Sequence, residues 1–424
     1  MTLPPKSHNL GALSAELVKK GQTYYTANYK PREMILDRGK GATVWDLDGN
    51  DYIDLGAGIA VCSLGHQDPD LLKALDEQSR KLWHTSNVFF TEPPIRLAEK
   101  LVELSKGVGK RVYLCNSGTE ANEAAIKLVR KYAADKGRAP DHREIISFTG
   151  SFHGRTLAAV TATAQPKYQQ GFEPLPGGFV YCDPFNDEAA IEKLVTERTC
   201  AIFVEPVQGE GGIIPAKPGF LKHLRALCDK VGALLVMDEI QAGIFRTGTF
   251  LACEQDEVVP DIVTWAKALG CGMPIGAMLV GEKAADTFQF GSHGSTFGGN
   301  PVMSAVALAA VTKLSSKEII DNVNEKSIMI RESISKINAE LDMFAEVRGR
   351  GLMLGAELKA PYAGNSNPIA DVLRKHGVLV LVAGPNVLRF VPPLNITKDE
   401  VESGLLRFRN GMAEYKASLS AKAS

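Results

Sequence analysis

Two short apolar runs that each end in acids constrain this chain more than any other feature. Ala201-Ile202-Phe203-Val204 runs into Glu205, and Leu234-Leu235-Val236-Met237 runs into Asp238 and Glu239. Runs this short and this continuous read as strands buried on both faces, the pattern of a parallel sheet between helix layers. In such sheets ligands bind outside the carboxyl ends of the strands, where these acids stand. A third run, Asp261 to Ala266, leads into a single lysine, Lys267, and then a glycine-rich turn, Gly270-Cys271-Gly272. Burial lowers a lysine pKa, and a neutral amine can attack a carbonyl. A lone lysine in an apolar stretch also reads as a surface residue that snorkels.

The rest of the chain alternates helical periodicity with short apolar runs, the mark of an α/β fold. The spacing predicts helices over Leu10–Lys20, Leu71–Leu82, Glu92–Leu104, Val302–Leu314 and Ile319–Leu341. It predicts a strand over Glu144–Phe148, a hairpin turning at Asp48-Gly49-Asn50, and strand-like character across Val347–Leu358. Arg111 to Lys127 reads as strand, tight turn and helix, with Ser117-Gly118-Thr119 at the helix start. Free amides and the positive dipole end there suit a phosphate, and an ordinary Ser/Thr N-cap gives the same pattern. Neither GxxxxGK[ST] nor GxGxxG follows the strand, which excludes a Walker loop and a dinucleotide fingerprint.

Charge and cysteines exclude other classes. Net charge is −1, which gives no support for nucleic-acid or membrane-surface binding. No run of about 18 apolar residues suggests a membrane span. The residues Met1 to Asn9 have no apolar signal-peptide core. Seven cysteines without paired spacing point to reduced thiols and a cytoplasmic setting, and none forms a zinc pattern, so no metal is expected.

Asp238 and Lys267, with a strand between them, resemble the core of a pyridoxal-phosphate enzyme of the aspartate-aminotransferase type, fold type I. Further blocks in the same order resemble the class III (ω-type) aminotransferases, closest to the acetylornithine branch: Gly58-Ile59-Ala60-Val61, Gly65-His66, Trp83-His84-Thr85-Ser86-Asn87, Ser117-Gly118-Thr119-Glu120 and Phe152-His153-Gly154-Arg155. The likeness runs from about residue 20 to about 415. It implies a mainly parallel central sheet in a large cofactor-binding domain, residues 66–310. The N-terminal arm and hairpin, 1–65, would join the C-terminal residues 311–424 in a smaller α/β domain.

The resemblance also implies roles. Lys267 holds the cofactor covalently and moves the proton. Asp238 pairs with the ring nitrogen, Gln241 with the ring hydroxyl, and Phe152 stacks on the ring, with Glu205 nearby. Ser117, Gly118 and Thr119 hold the phosphate, joined by Ser295 and Thr296 of a second subunit, so a homodimer with shared sites is expected. Arg155 and Arg389 bind substrate carboxylates, Glu210 neutralises Arg389 when one substrate is bound, and Tyr29 lines the pocket. The expected reaction moves the terminal amino group of N-acetylornithine to 2-oxoglutarate, giving N-acetylglutamate semialdehyde and glutamate. Ornithine, succinylornithine and 4-aminobutyrate are alternative donors, and an aminomutase, a decarboxylase or an epimerase are alternative activities on the same scaffold. Three positions depart from the family pattern. Asp68 replaces the second histidine of His-x-His-Pro in His66-Gln67-Asp68-Pro69, and Phe245 and Cys271 stand where a small residue or glycine is usual.

Overall fold

The computed structural model describes residues 10–423; the first nine residues of the expected polar arm lie outside the described residues. Its centre is a seven-stranded sheet: β1 (Arg111–Cys115), β2 (Glu144–Phe148), β3 (Phe179–Cys182), β4 (Thr199–Val204), β5 (Leu234–Asp238), β6 (Ile262–Trp265) and β7 (Gly276–Val280). The spatial order is β1-β7-β6-β5-β4-β2-β3. Neighbours pair in parallel except at β7, which runs antiparallel to both β6 and β1. The mainly parallel α/β expectation therefore holds.

Strand alternation decides what each side of this sheet meets. Leu234 and Val236 of β5 face one buried cluster, packed with the alanine-rich helix Gly118–Asp135. Leu235 and Met237 face the other, larger cluster, which includes Phe220 and Leu224 of the helix Phe220–Val231. Side chains two apart share a face. Asp238 therefore inherits the side of the helix Gly118–Asp135, and Glu239 the opposite side. Both partners are observed: Asn122 of that helix bonds Asp238, whereas the backbone of Ala252 and Cys253 bonds Glu239.

The predicted hairpin forms as Thr43–Asp46 and Asp51–Asp54, with Gly49 at φ +84 in its turn. Its second strand pairs in parallel with Val378–Leu379, which brings the two ends of the chain into one sheet. A separate antiparallel sheet joins Phe344–Arg350, Met353–Leu358, Val387–Phe390 and Leu381–Ala383. Helices Lys317–Leu341 and Lys398–Ala423 pack with each other beside it.

Three expectations shift. The helix expected over Leu71–Leu82 runs Pro69–Ser79. The helix expected over Leu10–Lys20 runs Ala12–Tyr24, because Gly21 does not end it and Tyr25 N–H still bonds Gly21 C=O. A single helical glycine costs only about 1 kcal/mol. The expected strand-like stretch Val347–Leu358 is a hairpin that turns at Gly351, φ +52. A Cβ there would lie 2.6 Å from the Thr247 backbone, so only glycine fits the approach.

Candidate active site

The carboxyl ends of β1, β2, β4, β5 and β6 deliver Ser117, Phe152, Glu205, Asp238 and Lys267 to one edge of the sheet. Asp238 is buried. Its Oδ2 accepts from His153 Nδ1 and from Asn122 Nδ2, both at 2.8 Å, and its Oδ1 accepts from the Ile240 N–H at 3.1 Å. Asn122 Nδ2 also donates to the His153 carbonyl at 2.6 Å, and the His153 ring sits edge-on to Phe203. The carboxylate is thus fixed in direction by three donors.

β6 pairs with β5 so that Thr264 lies opposite Asp238, and Lys267 follows three residues later. Lys267 has a left-handed backbone, φ +42, and begins a short 3-10 turn, Lys267–Leu269. It is half-buried. Burial brings its pKa down to about 8, with Arg389 pressing the same way while Glu210, Asp238 and Glu205 oppose. The neutral amine is therefore much more accessible than on an exposed lysine.

Glu205 directly follows β4. Its oxygens accept from the Phe152 N–H at 3.0 Å and the Gly209 N–H at 3.2 Å, and burial raises its pKa. Arg389, 3% exposed, donates through Nη1 to Glu210 Oε1 at 2.5 Å and to Gln241 Oε1 at 3.1 Å. Gln241 therefore uses its oxygen on Arg389 and keeps its amide N–H groups for other acceptors. Gly209 lets Gln241 lie this close, since a Cβ there would be 2.4 Å from Gln241 Nε2.

Ser117 is the N-cap of the 18-residue helix Gly118–Asp135, its hydroxyl accepting from the Glu120 N–H. Thr119 is tied sideways: its Oγ1 meets Thr156 Oγ1 at 2.8 Å and accepts from the Arg155 N–H at 3.2 Å. Arg155 is exposed and lies over the Tyr168 ring at 3.9 Å, and Tyr168 in turn meets Phe152 edge-on.

Ser295 lies beside the same helix start, next to Asn116. Its Oγ accepts from Asn116 Nδ2 at 3.0 Å and from the Gly298 N–H, and its carbonyl accepts from Asn87. Within its own chain it is a loop anchor, while Thr296 next to it is exposed. Tyr29 is 81% exposed, and no hydrogen bond or ring contact among the described residues joins it to the cluster.

The sequence reading missed His153, Asn122, Asn116 and Asn87. Asn122 was within reach, because it lies four residues after Gly118 on the helix face that alternation assigns to Asp238. It also missed a left-handed turn. Ala57, Gly58, Ile59 and Ala60 all have positive φ, and the turn packs against Lys267–Leu269. Non-glycine residues there cost about 1–2 kcal/mol each, so surrounding contacts hold it. Phe245 and Cys271 have the same feature, with φ +65 and +46, which explains why glycine suits those positions.

Among the described residues no cluster of histidines, cysteines or acids could hold a metal, and no helix is long and apolar enough to cross a membrane. Residues 24–411 match the family model described as Aminotransferase class-III. The chain is 60% identical to the acetylornithine aminotransferase of Xanthomonas axonopodis pv. citri, over 93% of this chain and 96% of that one. It is 46% identical to a succinylornithine transaminase of Yersinia enterocolitica, over 91% and 94%. The crystal structure of N-acetylornithine aminotransferase from Stenotrophomonas maltophilia superposes with a TM-score of 0.84 at 51% identity, covering 95% of this chain and all of that one.

Proposed function

Because this chain belongs to the class III aminotransferases, we propose that it moves the terminal amino group of N-acetylornithine to 2-oxoglutarate. The products are N-acetylglutamate semialdehyde and glutamate, a step suited to arginine biosynthesis in the cytoplasm. The donor is the one named for its relatives in Xanthomonas and Stenotrophomonas. The single observation that carries the reading is Arg389 bonded to Glu210 beside Lys267. A buried guanidinium with a removable partner lets one site take an α-carboxylate in one half-reaction and methylenes in the other.

The cofactor is pyridoxal phosphate, and the donors fit it. Asp238 offers a buried, oriented carboxylate for a protonated ring nitrogen. Lys267 offers an amine of lowered pKa for the aldehyde. The helix start at Gly118 and Thr119 offers free amides and a positive dipole end for the phosphate, with Ser117 as cap. Phe152 offers a ring face, and Gln241 an N–H for the ring hydroxyl. When bound, the cofactor supplies an electron sink that stabilises negative charge at the carbon losing its proton.

The chain's own residues do the rest. Lys267 would hold the cofactor's aldehyde, and its neutral amine, when free, would serve as the base that takes the proton and the acid that returns it. Asp238 keeps the ring nitrogen charged, and His153 and Asn122 keep Asp238 from turning away. Arg155 takes the substrate carboxylate far from the reacting amine, with the Thr119 hydroxyl setting its backbone. Glu210 neutralises Arg389 when the donor's methylenes lie beside it, since an unpaired buried charge is costly. Glutamate displaces Glu210 and docks its α-carboxylate on Arg389 through charge-assisted hydrogen bonds. Tyr29 would line the pocket only in the assembled enzyme.

We propose a homodimer in which Thr296 reaches the partner's phosphate and Ser295 anchors the loop that presents it. Supporting this, Thr296 is exposed beside the exposed Phe297, whose ring meets His84, and Trp83, Phe89 and Phe90 of that neighbouring segment are exposed as well. The division into residues 66–310 as the cofactor-binding unit, with 1–65 and 311–424 as the smaller one, belongs to the same proposal. A donor panel with 2-oxoglutarate as acceptor tests the function. N-acetylornithine should give the highest kcat/KM, above succinylornithine, ornithine and 4-aminobutyrate. Turnover of 4-aminobutyrate without use of N-acetylornithine would overturn the reading.

A further inference from the structure

Arg246 is completely buried, and no carboxylate pairs with it among the described residues. All its acceptors are neutral. Nη1 donates to the carbonyls of Leu352 at 3.1 Å and Pro392 at 2.5 Å, and Nη2 donates to Ser63 Oγ at 3.1 Å. Its own carbonyl accepts from the Leu352 N–H at 3.0 Å. Burying a guanidinium without a counterion is costly, so its retention calls for a reason beyond filling space. Burial lowers its pKa to about 9, which still leaves it charged at neutral pH.

The positions of its partners supply the reason. Leu352 immediately precedes the strand Met353–Leu358, and Pro392 lies two residues after the strand Val387–Phe390. These two strands pair, with Gly355 opposite Arg389. The guanidinium therefore clamps the strand pair that carries Arg389 at one end. Its third partner, Ser63, follows the left-handed turn Ala57–Ala60, and the Ser63 hydroxyl donates onward to the Ala60 carbonyl at 3.4 Å. That turn packs against Lys267–Leu269. The Ser63 carbonyl also accepts from the Leu394 N–H at 2.7 Å, so both sides of the clamp are stitched together again.

We infer that Arg246 is a positioning residue for dicarboxylate recognition: it sets the distance between Arg389 and Lys267 by tying the strand of Arg389 to the segment that backs the lysine turn. This rests on the proposed role of Arg389 as the α-carboxylate ligand of glutamate and 2-oxoglutarate. The three acceptors are reached from two separate guanidinium nitrogens; a lysine keeps the charge but gathers its three donors on one nitrogen and cannot span them. N-acetylornithine places no carboxylate on Arg389 and needs only that it stay paired with Glu210, whose partly exposed side chain can follow a small displacement of that strand.

The test uses the holoenzyme with Arg246→Lys, Ser63→Ala and Arg389→Ala. Single-turnover absorbance changes are followed for glutamate and for N-acetylornithine, with steady-state KM for 2-oxoglutarate. Arg246→Lys should lower the glutamate half-reaction by about tenfold or more, mainly through substrate affinity, because misplacing a binding group by about 1 Å costs that much. The N-acetylornithine half should change by less than about threefold. Ser63→Ala, which removes one acceptor and leaves the arginine in place, should bias the two halves in the same direction by a smaller factor, and it decides the matter if Arg246→Lys does not fold. Equal losses in both halves, or an unchanged KM for 2-oxoglutarate, would overturn the inference. Arg389→Ala separates the two readings. If it spares glutamate, the proposed role of Arg389 fails. If it selectively damages glutamate while Arg246→Lys and Ser63→Ala do not, only the positioning role of Arg246 fails.

Discussion

Glu210→Gln should change the two half-reactions in opposite directions. The substitution keeps an oxygen within reach of Arg389 and removes the charge. The Glu210 oxygen lies 2.5 Å from Arg389 Nη1, and the arginine is 3% exposed while the Glu210 side chain is 24% exposed. A hydrogen bond between charged groups contributes about 1.5–3 kcal/mol and a neutral one about 0.5–1.5, so the pair should weaken by about 1–1.5 kcal/mol after allowing for the solvent at Glu210. That is about tenfold in an equilibrium constant. Glutamate must break the pair to reach Arg389, so its apparent affinity should rise by about that factor. N-acetylornithine relies on the pair to neutralise Arg389 beside its methylenes, so its half-reaction should slow by a similar factor. Glu210 also holds up the pKa of Lys267, so its loss should carry that pKa below about 8 in both halves. This shared effect cancels in the ratio of the two halves. Stopped-flow absorbance of the bound cofactor measures each half separately. Shifts of the same sign in both, or a ratio within about twofold of the parent, would refute the reasoning.

Three more expectations follow from the same contacts. Asp238→Asn should keep cofactor but transaminate more than about tenfold more slowly, because an amide cannot hold charge on the ring nitrogen; near-parental turnover in a steady-state assay would reject the role. Glu239 is buried on the opposite face of β5 and its pKa is raised from 4.5 to about 7 by burial. The fold therefore keeps a proton that the unfolded chain releases, and stability should fall by about 3 kcal/mol as pH rises from 4.5 to about 7, then level off. Glu239→Gln should flatten the thermal midpoint across that window; an unchanged slope would contradict the assignment. Thr296→Val should weaken cofactor retention at the partner's site, so a hybrid with Lys267→Ala on one chain should show the defect in trans. A defect confined to the chain carrying Thr296→Val would count against shared sites.

Much of the architecture was legible because it rests on local alternation. The runs at Ala201 and Leu234 had to be doubly buried strands, and the acids that ended them had to lie at the sheet edge. Asp238, Glu205, Glu210 and Arg389 all lie within electrostatic reach of Lys267. What stayed hidden depends on distant backbone. Nothing local marks Arg246 as buried, since its acceptors come from residues 63, 352 and 392. The glycines at 349 and 351 are compatible with a turn, but their place in a hairpin is fixed by the distant Thr247 backbone against which Gly351 packs. The partners that hold Ser295 within its own chain, Asn116, Gly298 and Asn87, are likewise set by loop geometry and distant residues. The left-handed turn at Ala57–Ala60 contradicts residue preference and could be found only from the packing that holds it.

The central claim is that Lys267 carries the cofactor and gives it up to N-acetylornithine. Borohydride reduction of the holoenzyme followed by peptide mapping tests both parts in one measurement. The label should fall on Lys267 alone, and preincubation with N-acetylornithine in the absence of 2-oxoglutarate should abolish it. Label on another lysine would contradict the assignment of the site, and label on Lys267 that persists after the donor is added would contradict the proposed reaction.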